Sequence, residues 1–139
     1  MNRSIELHNS TSELPRLMTF IEEVITEFAI PADYILRLQL VLEEVVSNVM
    51  LYAYIDNEKH TIKVEAGYDS NEIAFRVIDD GVEFDPTAAP DADITRSADD
   101  RDLGGLGIFI VRQTMDRVEY CRREGANILT LTKKINYGD

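Results

Sequence analysis

Residues 31 to about 54 place Ile35, Leu36, Leu38, Leu40, Val41, Leu42, Val45, Val46, Val49, Met50 and Leu51 around most of the circumference of an α-helix. Such a helix has little surface to give to water, so the pattern predicts one that runs through the middle of a packed layer. Pro31 stands where it opens the helix, at the first helical position, where a missing N–H costs nothing. The rest of the 139-residue chain must supply the walls around it.

Those walls are readable on both sides. Residues 3–8 alternate, with Ile5 and Leu7 on one side, which predicts a strand. A helix starting near Ser12 follows, with Leu14, Leu17, Met18, Ile21, Val24, Ile25 and Phe28 as a buried stripe opposite Glu22, Glu23 and Glu27. Ser10 and Glu13 have the spacing of a capping box, and Pro15 fits only in a first turn. Residues 61–68 and 72–79 alternate around Asp69, Ser70 and Asn71 and predict a hairpin. Residues 86–103 form a long aperiodic run rich in Ala, Asp, Pro, Thr and Ser, of the kind found in lids or disordered segments. A third helix over 105–115 and two strands, 118–122 and 127–135, complete the pattern. The length suits a single domain over residues 1–139, and no repeat or linker interrupts it.

The formal net charge of -12 argues against a broad nucleic-acid surface, which depends on Lys and Arg neutralising phosphates. A single nucleotide is a different matter, since backbone donors and one divalent cation suffice for a triphosphate. Cys121 is the lone cysteine, the start Met1-Asn2-Arg3-Ser4-Ile5-Glu6 has no apolar signal region, and no apolar run approaches bilayer length. A cytoplasmic protein without membrane contact is the expectation.

Glu44 and Asn48 lie one turn apart on the long helix and project from one face. An amide oxygen is a suitable hard ligand for Mg²⁺, and a carboxylate beside it can deprotonate a hydroxyl. Gln39, Glu43 and Ser47 form a neighbouring polar row, so a solvated stripe is the alternative. Asp79 stands in phase with Ile73, Phe75 and Val77, which turns its carboxylate inward and demands a hydrogen-bond partner or a ligand. Gly81 leaves room for a flat ligand to approach the chain, or for a turn. Gly104-Gly105-Leu106-Gly107 leads into a helix start, where N–H groups and the dipole favour phosphate. His8, His60 and Cys121 offer no metal-ligand spacing, and Asp99, Asp100 and Asp102 have no calcium-loop register.

Taken in order, Glu44-Val45-Val46-Ser47-Asn48, then residues 79–86 from Asp79-Asp80-Gly81 through Phe84-Asp85-Pro86, then Gly104-Gly105-Leu106-Gly107-Ile108 resemble the ATP-binding boxes of the gyrase, chaperone and histidine-kinase superfamily. More narrowly they resemble the serine kinases that act as anti-sigma factors in bacterial partner switching, a likeness that extends through Val111-Arg112, Met115-Asp116-Arg117 and residues 127–133. The resemblance implies a two-layer α/β sandwich of the Bergerat type, with helices on one face of a mostly antiparallel mixed sheet. It implies that Glu44 is the catalytic base, Asn48 the Mg²⁺ ligand and Asp79 the acceptor for the adenine amino group, with Gly81 beside the base. Gly105, Leu106 and Gly107 would admit the phosphates under the preceding loop, and Arg101 would contact phosphate within it. Glu83 stands where many superfamily members have a second glycine, and Phe84-Asp85-Pro86 is familiar in the anti-sigma branch. Gly125-Ala126-Asn127 stands where a Gly-Thr pair is common, and no ligand role follows for it.

The implied reaction moves the γ-phosphoryl group of ATP to a serine of a small anti-anti-sigma protein of the STAS type, with a sigma factor as the other partner. A homodimer is compatible with this picture. Three other readings stand beside it: an ATP-dependent binding switch without transfer, the detached catalytic half of a histidine kinase, and a structural α/β domain with decayed boxes.

Overall fold

A computed structural model describes residues 3–88 and 105–137. Strand β1 spans Arg3–His8, helix α1 Leu14–Glu27, helix α2 Asp33–Tyr52, strand β2 Thr61–Asp69, strand β3 Glu72–Asp79, helix α3 Gly105–Thr114, strand β4 Arg117–Arg123 and strand β5 Ala126–Lys134. Short 3-10 turns occupy Thr11–Glu13 and Pro86–Ala88. The five strands form one sheet in the order β1-β2-β3-β5-β4, and every neighbouring pair among the described residues is antiparallel. The parallel component implied by a mixed sheet is therefore not present there.

Both tight hairpins owe their register to their turns. Ser70 and Asn71 adopt positive φ of 53° and 62° between the paired Asp69 and Glu72. Glu124 and Gly125, at 54° and 80°, do the same between Arg123 and Ala126. Turns of this hand match the right-handed twist of the strands they join. Gly125 thus answers to a turn, with no neighbour within 4 Å of where a Cβ would stand.

Period-two alternation buries one face of the sheet through Leu7, Ile62, Val64, Ile73, Phe75, Val77, Leu129 and Leu131. The helices cover that face. Helix α1 buries Leu17, Phe20, Ile21, Val24 and Ile25, and α2 touches α1, α3 and β3. Helix α2 buries Leu38, Val41, Leu42, Val45, Val46 and Val49, yet Leu36, Leu40 and Leu51 are 65%, 51% and 56% exposed. The sequence predicts burial almost all round; in a two-layer fold the side of α2 facing away from the sheet has nothing above it.

Two helix starts also differ from expectation. Pro31 lies one residue before the cap Ala32, and its carbonyl accepts the Tyr34 N–H at 3.1 Å. Glu13 makes no capping box: the first turn is 3-10, and its carboxylate instead accepts the His8 N–H at 3.0 Å, tying the end of β1 to the start of α1. Among the described residues no helix is long and apolar enough to cross a membrane.

Candidate functional site

Helix α2 and the ends of β3 and β5 enclose a cleft of about 560 Å³, counted out to its open mouth. Val45, Val49, Val77, Ile108, Val111 and Leu129 make its walls, with Phe84, Pro86 and Tyr120 at the sides. Four polar residues enter it: Glu44, Asn48, Asp79 and Asn127. A slot with apolar walls and few polar groups suits a flat heteroaromatic ring.

The structure brings Glu44 and Asn48 together at one part of the cleft. Asn48 Nδ2 donates to Glu44 Oε2 at 2.9 Å, so the amide oxygen is the end turned away from that bond. A carbonyl oxygen beside a carboxylate fits Mg²⁺, which favours hard oxygen ligands and keeps several of its own waters. The neighbouring polar row splits by role. Gln39 Nε2 donates to Met18 O at 3.0 Å and links α2 to α1, Ser47 Oγ bonds back to Glu44 O at 3.2 Å, and Glu43 faces solvent.

Asp79 lies inward, only 4% exposed, as its phase on β3 requires. Its Oδ1 accepts the Gly81 N–H at 2.8 Å and Asn127 Nδ2 at 2.9 Å. Burial pushes its pKa up, the Asn127 and Gly81 donors pull it back, the Asp80 charge raises it again, and the Arg122 guanidinium lowers it.

Gly81 has a reason for being glycine that differs from ligand approach. A Cβ there would stand 2.4 Å from Ala53 O, at the carboxyl end of α2, and Val82 N–H donates to that same carbonyl at 2.8 Å. Gly81 lets the end of the helix dock against the loop after β3, and it reaches the cleft through its N–H on Asp79. Beyond the docking point, His60 stacks on Tyr54 with ring centroids 4.2 Å apart. Its Nε2 lies 2.9 Å from Asp56, and its Nδ1 lies 3.3 Å from Asp80. The Asp56 carboxylate holds the His60 pKa above its ordinary value.

Gly105, Leu106 and Gly107 open α3, and Ile108, next in the chain, lines the cleft. The first N–H groups of a helix lack intrahelical partners and favour anions. Arg101, Gly104, Asp99, Asp100 and Asp102, with most of the 86–103 loop, lie outside the described residues.

Asn127 is the site residue that sequence reasoning missed. It pairs directly with Asp79 across β3 and β5 and is itself 4% exposed. The signal was available: Asn127, Leu129 and Leu131 share one strand face, by the alternation that turns Asp79 inward.

Residues 7–133 match the family described as the histidine kinase-like ATPase domain. The chain belongs to that family. Among relatives of this ATPase domain, the serine/threonine-protein kinase BtrW of Bordetella bronchiseptica is 33% identical over 95 residues, 68% of this chain and 67% of that protein. The serine-protein kinase RsbW of Listeria monocytogenes is 29% identical over 71% of this chain and 65% of its own length. The anti-sigma F factor of Clostridium beijerinckii is 22% identical over 73% and 71%. The chain thus spans about two thirds of the length of these relatives. The histidine kinase domain of a blue-light activated histidine kinase from Erythrobacter litoralis shares the fold, with a TM-score of 0.56 at 18% identity over 90% of this chain and 60% of that one. Membership of a histidine kinase-like ATPase family implies ATP binding.

Proposed function

We propose that this ATPase domain is a cytoplasmic, Mg²⁺-dependent serine/threonine protein kinase that phosphorylates a small anti-anti-sigma protein and so governs a sigma factor by partner switching. The observation that carries the nucleotide half is Asp79: a buried carboxylate with both its hydrogen bonds on one oxygen, inside an apolar cleft that also holds the Glu44–Asn48 pair. The names of the relatives support the kinase and anti-sigma half.

In this reading Asp79 accepts a hydrogen bond from the exocyclic amine of adenine, while Val45, Val49, Val77 and Leu129 exclude water from the faces of the ring. The amide oxygen of Asn48 would hold Mg²⁺, which would offset the charge of the phosphates. Backbone N–H groups of Gly105, Leu106 and Gly107 meet phosphate oxygens. Glu44 takes the proton of the attacking serine hydroxyl as the new O–P bond forms and the bond to ADP breaks. Positioning carries most of the rate, as is general for phosphoryl transfer.

Calorimetry with Mg-ATP, followed by labelled transfer to small anti-anti-sigma proteins of the same organism, tests both halves. The expected result is Mg²⁺-dependent binding and label on one serine. No heat at about millimolar nucleotide, the weak end of ordinary affinities, removes the ATP reading. Binding without transfer to any such protein leaves an ATP-dependent binding switch in its place.

A further inference from the structure

Asn127 has no part in the reading so far, yet it is the most heavily bonded side chain of the cleft. Its oxygen receives three donors: Tyr120 Oη at 2.5 Å, Arg122 Nη1 at 3.0 Å and the Phe84 N–H at 3.3 Å. With the oxygen so occupied, the other end must be the NH₂ group, and it donates to Asp79 Oδ1 at 2.9 Å and Val82 O at 2.8 Å. A flipped amide would set the Arg122 and Phe84 donors against an NH₂ and an oxygen against the Asp79 carboxylate and the Val82 carbonyl, and only the Tyr120 hydroxyl could turn to accept. The amide therefore has one orientation.

That orientation decides what Asp79 can offer. Its Oδ1 is filled by Asn127 and Gly81, and among the described residues no donor reaches Oδ2. Asp79 also faces the Tyr54 phenol from the end of α2, the Asp80 carboxylate beside it and the Arg122 guanidinium from β4. Without the Asn127 donor, a carboxyl this buried and this close to Asp80 would more readily hold a proton. A protonated Asp79 is both donor and acceptor and no longer distinguishes a ligand amine from a ligand carbonyl.

We propose that Asn127, clamped by Tyr120 and Arg122 of the edge strand, is a positioning residue that keeps Asp79 an acceptor only and thereby sets the preference of the site for a 6-amino over a 6-oxo purine. This rests on the ATP reading above. It extends the base site beyond the cleft wall to β4, so that the order of an edge strand bears on which nucleotide is held.

Asn127→Asp provides the test, because it keeps the shape and replaces the NH₂ facing Asp79 by a second carboxyl. The measurement is the ratio of ATP to GTP affinity against pH, in which titration of the phosphates cancels. In the wild type the preference for ATP should hold at about pH 7.5 and decline on acidification, as Asp79 gains a proton. In the variant it should be lower by about tenfold at about pH 7.5, where two buried carboxyls in contact keep one proton between them and Asp79 becomes a donor as well as an acceptor. It should recover as pH rises further, when the shared proton leaves and Asp79 again only accepts. The decline on acidification is thus displaced to higher pH in the variant, a shift that a loss of packing alone would not produce. Should Asn127→Asp fail to fold, Tyr120→Phe removes one of the three donors while keeping the ring, and the preference should fall by about threefold, a fraction of one hydrogen bond. Wild-type preference at every pH in whichever variant folds overturns the proposal. A wild type that binds no ATP removes the nucleotide reading itself, an outcome distinct from both.

Discussion

Asp79 is held ionisable inside the protein by two donors, while burial raises its pKa above the usual carboxylate value. With the folded pKa above the unfolded one, the folded form keeps its proton to higher pH. The stability this contributes is present below the unfolded pKa and is lost as pH rises through the folded one. At neutral pH the ionised group therefore weakens the fold. Asp79→Asn should leave the ligand-free melting temperature at pH 7 unchanged or higher, since an amide oxygen can accept from both Gly81 and Asn127. ATP affinity should fall by about tenfold or more, because the amide can turn a donor towards the adenine amine. Paired melting curves and calorimetry check both. Glu44 and Asn48 should separate in another way. Glu44→Gln keeps shape and hydrogen bonding, so binding should persist while transfer slows by about a hundredfold, the scale of a lost general base. Asn48→Ala should weaken Mg-ATP binding itself, by removal of an oxygen ligand; nucleotide titrations with and without Mg²⁺ distinguish the two.

At the scale of elements, α2 serves the cleft twice, through the side chains of its middle and through its carboxyl end docked on Gly81. Since the atom that a Cβ would meet is a backbone oxygen, no side-chain rotation relieves the clash. Gly81→Ala should cost about 1–3 kcal/mol in urea unfolding, the range for overpacking, and should weaken ATP binding with it. The connection from α2 to β2 should show a pH dependence of its own through His60, whose pKa is raised chiefly by Asp56. Its stabilisation is present below the unfolded pKa and lost as pH rises through the folded one, so the melting temperature should fall across that window and His60→Ala should flatten the slope. Strands, hairpins and the inward turn of Asp79 were legible because period-two alternation is a local signal. The exposure of Leu36, Leu40 and Leu51 was not, because what lies above a helix depends on how many layers the fold has. Nor was the role of Asn127: its phase was visible, but its bonds to Phe84, Tyr120 and Arg122 join segments that only the pairing of β5 with β3 and β4 brings together.

Over the whole molecule the formal charge of -12 opposes compaction. Raising ionic strength from about 10 to 150 mM shortens the Debye length from about 30 to 8 Å, so the melting temperature should rise with added NaCl. A fall would show that the surface ion pairs, such as Arg76 with Glu65 and Arg117 with Glu72, outweigh the repulsion. The strand order has another reach. Among the described residues strand β5 follows β4 in sequence yet lies between β3 and β4, and it brings Asn127 and Leu129 to the cleft. A ribosome releases the chain in sequence, so a nascent polypeptide halted before residue 127 has α2 and Asp79 but lacks the strand that completes their chamber. Translation must run through β5 before the cleft can hold a nucleotide, and bound ATP would then stabilise chains that include β5 and not shorter fragments.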